Sequence, residues 1–96
     1  MSYKVFVDDN FHYQDEDERY FLGEFETLDA AISACRKIVD ESLTGSFEPG
    51  MTADALFGTY TSFGDDPFIV GITPPAFSAW EYARQRSAEI CDPRIP

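Results

Sequence analysis

The stretch from Tyr3 to Leu43 constrains the fold more than any other part of this chain. Two segments of alternating character flank a run of four acids, Asp15-Glu16-Asp17-Glu18, and lead into an amphipathic helix. From Tyr3 to Tyr13 the odd positions are Tyr3, Val5, Val7, Asp9, Phe11 and Tyr13, while the even ones include Lys4, Asp8, Asn10 and His12. That alternation is the period-two pattern of a half-buried strand. Asp9 interrupts the apolar face, so either the strand ends near Asp8 or a bulge at Asp9-Asn10 turns the carboxylate outward. Arg19 to Phe25 supply the returning strand, with Tyr20 and Leu22 on one face and Phe21 and Phe25 on the other. Together they make an aromatic-rich ribbon whose tip runs from Gln14 to Glu18.

Thr27 is placed to cap the following helix, and Asp29 in the first turn suits the helix dipole. Leu28, Ala31, Ile32, Cys35, Ile38, Val39 and Leu43 recur at three- and four-residue intervals, which predicts a helix from Leu28 to Leu43 that stops at Gly45. After a loop to Gly50, Thr52 caps a shorter helix, with Met51 positioned to pack on Leu56 and with Leu56, Tyr60 and Phe63 on its buried face. Gly58, Thr59 and Thr61 weaken that pattern and leave a strand from Phe57 to Phe63 as the alternative. Gly64-Asp65-Asp66-Pro67 reads as a break, and Phe68 to Ile72 as a short inner strand. Thr73-Pro74-Pro75 then starts a last helix with Ala76, Trp80, Ala83, Ser87 and Ile90 as its stripe, ended by Asp92-Pro93. The expected fold is a single α+β domain over residues 1–96, in the order β-β-α-α-β-α. An antiparallel sheet of about three strands carries helices on one face.

Charge narrows the choice of partners. Eighteen Asp and Glu against seven Lys and Arg give a net charge of −11, which opposes binding to DNA, RNA or anionic lipid. Hydrophobic residues at 44% and aromatics at 16% suffice for a folded core in spite of that charge. The opening MSYKVFVDD enters a strand pattern at once rather than a secretory signal, and no segment reaches the ~20 apolar residues of a membrane span. A cytoplasmic protein is the expectation, with Cys35 and Cys91 on helices as buried free thiols and a disulfide between them as the alternative. Two Cys and one His without paired spacing do not make a structural zinc site, and no cofactor is expected.

No phosphate loop, nucleophile elbow, zinc-binding His-Glu pair or dinucleotide fingerprint is present, so the chain does not specify a reaction. The sharpest expectation concerns the ribbon. Asp15, Glu16, Asp17 and Glu18, with Asp8, Asp9 and His12 beside them, form a candidate surface for a basic protein partner. Such a surface could also occupy a nucleic-acid-binding protein by presenting carboxylates in place of phosphates. A second class of function, small-molecule or divalent-metal binding, rests on the adjacent carboxylates Asp65 and Asp66, on His12, and on the dense aromatics of the second half. A homodimer through a ribbon edge or the last helix is the third expectation.

Overall fold

A computed structural model describes residues 2–9, 19–71 and 77–91. Its elements run β1 (Tyr3–Asp9), β2 (Tyr20–Phe25), α1 (Leu28–Ser46), α2 (Ala53–Phe63), β3 (Asp65–Ile69) and α3 (Ala79–Cys91). The three strands form one antiparallel sheet in the order β2-β1-β3, so the first strand is the central one. This is the expected α+β domain, with the element order read from the sequence.

β1 alternates as its residues dictate. Val5 and Val7 are buried on the helix side, and full burial of one such side chain contributes roughly 1.5–3 kcal/mol. The strand runs through Asp9, which pairs with Asp65, one residue past the end expected near Asp8, and the alternative bulge at Asp9-Asn10 reaches outside the described residues. Among the described residues an irregularity lies in the neighbouring strand. Val5 pairs with Gly23 but Phe6 pairs with Phe21, which leaves Leu22 as an extra residue in β2. The bulge changes the faces expected for β2: Leu22 and Phe25 both pack against the core, and Phe21 joins Phe6 on the opposite side.

α1 ties the domain together because its buried stripe serves two clusters. Ala31 and Cys35 pack with Val5 and Ile69 beneath the sheet, while Val39 and Leu43 pack with Leu56, Tyr60, Ala79 and Ala83 from α2 and α3. The Thr27 hydroxyl accepts from the Ala30 N–H at 3.1 Å, as the cap pattern requires. At its other end the helix runs past Gly45 to Ser46, and the chain leaves in an extended conformation at Phe47, which packs against the second cluster. α2 is a helix, not a strand, capped by the Thr52 hydroxyl accepting from the Ala55 N–H at 3.1 Å. Its Phe63 is 64% exposed rather than buried, since it occupies the last turn, where the chain swings away through Gly64.

β3 departs most from expectation. The Gly64–Pro67 segment is not a break, because pairing with β1 begins at Asp65 and ends with Val5 opposite Ile69. The Val70 N–H donates to the Lys4 carbonyl at 3.0 Å, so even-numbered β1 residues aim their backbone groups at β3 and odd-numbered ones at β2. Pro67 faces Val7 and therefore sits where no ladder bond is needed. Ile72 and the Thr73–Ala76 segment lie outside the described residues. α3 begins at Ala79, with Ser78 Oγ accepting from the Glu81 N–H at 3.3 Å. Its buried stripe is Ala79, Ala83 and Ser87, and Trp80 is 42% exposed, because small side chains let α3 approach its neighbours closely.

Candidate functional site

All three helices pack on the side of the sheet that carries Val5 and Val7. The other face meets no described helix, and three rings cross it from edge to edge. Phe21 on β2 lies 5.3 Å from Phe6 on β1, and Phe6 lies 6.1 Å from Phe68 on β3, between ring centres. Alternation places Phe6 and Phe68 there, and the bulge at Leu22 brings Phe21 opposite Phe6. Contacts of this kind contribute roughly 0.5–1.5 kcal/mol each beyond burial. Phe21 nonetheless remains 52% exposed.

Charged residues rim the ridge. Arg19 Nε donates to Asp8 Oδ1 at 2.6 Å and Nη2 donates to Oδ2 at 3.2 Å, while the guanidinium lies 5.0 Å from the centre of the Phe68 ring. Asp66 stands opposite Asp8 on β3, and burial followed by the Asp8 charge pushes its pKa up to about 6. At the far end Glu24 faces Lys4 across the ladder and accepts from the Ser2 hydroxyl. The ridge is thus an apolar centre with a mixed, mainly acidic rim.

The expected site residues divide accordingly. Asp8 and Asp66 come together on the open face. Asp65 follows Pro67 and Ile69 to the other face by strand alternation, so the neighbouring carboxylates of Asp65 and Asp66 do not converge. Among the described residues no three His, Cys, Asp or Glu side chains are grouped to hold a metal ion. Asp9 is placed by its backbone pairing with Asp65, its side chain lying outside the described set together with His12, Asp15, Glu16, Asp17 and Glu18.

A second polar cluster joins α1 to α3. Tyr82 donates its hydroxyl to Asp40 at 3.0 Å, and Arg86 binds Asp40 Oδ1 at 3.0 Å and Glu89 Oε1 at 2.6 Å. The Tyr82 hydroxyl is held above its usual pKa by burial first and then by its hydrogen bond to Asp40, so this tyrosine is a clamp rather than a base. Burial, with a smaller push from Asp66, raises the Cys35 thiol to about 11, which suits a packing residue and not a nucleophile. No protein family, curated protein or solved structure matches the chain.

Proposed function

We propose that this chain is a small acidic interaction module that takes a basic protein partner on the open face of its sheet. The observation that supports this reading best is the continuous ridge Phe21-Phe6-Phe68, an apolar strip across all three strands on the side away from the helices. Phe21 is exposed and Phe6 and Phe68 are half-buried, and an apolar strip that reaches solvent in this way is characteristic of binding surfaces. The net charge of −11, with Asp8, Asp66 and Glu24 around the ridge, selects a partner whose own apolar patch is ringed by Lys and Arg. The acidic run Asp15 to Glu18 belongs to the same proposal, since it lies in the segment joining Asp8 to Arg19 and adds charge that steers a cationic partner.

Capture from a native cell extract tests the reading, using the intact chain and its Phe21→Ser variant at low and at ~0.3 M salt. The expected result is a partner rich in basic residues, retained at low salt, released at the higher salt and missing with the variant. Capture that ignores the substitution would remove the open face from the proposal, and capture that ignores salt would remove the charge argument.

A further inference from the structure

An antiparallel sheet in the order β2-β1-β3 has two edges, and they differ. The β3 edge is closed at its start. The Asp65 N–H donates to Ser42 Oγ at 3.2 Å, the Asp65 carbonyl accepts from the Tyr60 hydroxyl at 2.6 Å, and Pro67 has no N–H to offer. Both residues point these backbone groups outward, because β1 pairs them with its odd-numbered residues.

The β2 edge has no such cover among the described residues. Tyr3 and Val5 aim their backbone groups at Phe25 and Gly23, which leaves the N–H and C=O of Glu24 directed away from the sheet. Beside this edge, on the helix side, a cleft of about 320 Å³ opens between Leu22 and Phe25 of β2 and Ala34, Lys37, Ile38 and Glu41 of α1. Its floor is apolar, its two charged residues belong to α1, and its size suits one large apolar side chain.

From these features we infer that the β2 edge receives an extended segment of a basic protein as a fourth strand, with one apolar side chain seated in the cleft, a role that presupposes the interaction function proposed above. Strand addition supplies both parts of the recognition. Main-chain hydrogen bonds form at Glu24, and alternate side chains of the incoming strand fall on the cleft and on the Phe21 side of the sheet. Charge decides the occupant. Glu24 and Glu26 are exposed at this edge and Glu41 stands at the cleft, against Lys37 at the cleft and Lys4 opposite Glu24, so acids outnumber bases among these residues and an apolar residue flanked by Lys or Arg fits. A second copy would bring another net −11 chain and its own Glu24 to the same line.

The probe is a set of short synthetic peptides that carry one Leu or Phe between Lys and Arg residues in an alternating pattern. Binding to the full chain is read by fluorescence anisotropy and by protection of the Glu24 amide from hydrogen exchange. Affinity is expected to fall at least tenfold when the cleft is filled by Ala34→Phe. It is also expected to fall at least tenfold when the peptide amide facing Glu24 is N-methylated, a change that leaves the protein untouched and so holds even if the variant folds poorly. The Phe21→Ser chain serves as the comparison. If that variant loses its extract partner while no peptide of the set binds, the open-face function stands and the edge inference falls. Peptide binding indifferent to both Ala34→Phe and N-methylation overturns it as well. So does a mass that doubles with concentration and returns to monomer in Ala34→Phe, which would give the edge to a second copy.

Discussion

Asp66 stands directly opposite Asp8 across the β1–β3 ladder, and Arg19 grips Asp8 with two hydrogen bonds. Asp66 therefore meets an anion in a partly dry setting, and burial followed by that charge carries its pKa from 3.8 to about 6. A carboxyl whose pKa is raised by folding binds its proton more tightly in the native state. Its protonated form favours folding below the unfolded value near 4, and that contribution is lost as pH climbs through 6. Allowing for the solvent that still reaches the group, the loss is on the order of 1–2 kcal/mol. Asp66→Asn should cancel it. In urea unfolding from about pH 4.5 to about pH 8, the variant should gain on the parent chain through that window and keep its lead at neutral pH. Parallel profiles would show that Asp66 is solvated in the native state.

The two faces of the sheet should answer differently to truncation. Val5 is fully buried among Ala31, Cys35 and Ile69, so Val5→Ala leaves a void and should cost about 1.5–3 kcal/mol. Phe21 is half exposed, and Phe21→Ser should cost no more than about 1 kcal/mol while abolishing partner capture. Urea midpoints separate the two effects, because a binding residue changes capture far more than stability. A Phe21→Ser cost as large as that of Val5→Ala would make the ridge part of the core.

The closure of the β3 edge at Asp65 depends on the turn at Gly64. A methyl group added there would overlap the Tyr60 ring and sit 2.9 Å from the Tyr60 carbonyl oxygen, and Tyr60 is 1% exposed and cannot swing away. Gly64→Ala should therefore cost about 1–3 kcal/mol, the usual range for overpacking. Tyr60→Phe keeps the ring and removes only the hydroxyl that donates to the Asp65 carbonyl, for about 1 kcal/mol. Hydrogen exchange at Phe68, which pairs with Phe6 at a ladder-bonded position, and thermal melting of both variants check the ordering. A Tyr60→Phe chain that melts later than Gly64→Ala is the expected result.

Legibility in the sequence follows how local each signal is. α1 and β1 are readable because their periodicity lies within one element, and Thr27 and Thr52 are readable as caps because the accepting hydroxyl and the donating N–H are three residues apart. β3 is not readable at its start. Gly64-Asp65-Asp66-Pro67 has every local mark of a turn, and only pairing with β1, some sixty residues earlier in the chain, draws it into the sheet. The ridge is hidden for a related reason. Phe6 sits among the polar even positions of β1, and its partner Phe21 reaches that face only through the bulge at Leu22, which reverses the alternation of β2. In α3 the large Trp80 outweighs its neighbours in any apolar pattern, yet close helix packing selects the small stripe Ala79, Ala83 and Ser87.

The two cysteines are free, and their surroundings set different fates. Cys35 is fully buried between α1 and the sheet, and its thiol is pushed up to about 11, so at pH 8 only about one molecule in a thousand would carry the thiolate even with access. Cys91 lies at the end of α3 and is partly exposed. A short treatment with a maleimide should therefore label one thiol in the native chain and two in urea, as counted by intact mass. Because Cys35 packs against Val5 and Ile69, its labelling requires α1 to separate from the sheet, and the rate of the second addition should rise with urea along the unfolding curve. Fast labelling of both thiols without denaturant would mean that α1 lifts off the sheet in the native state, and the cleft beside β2 would then have no fixed shape.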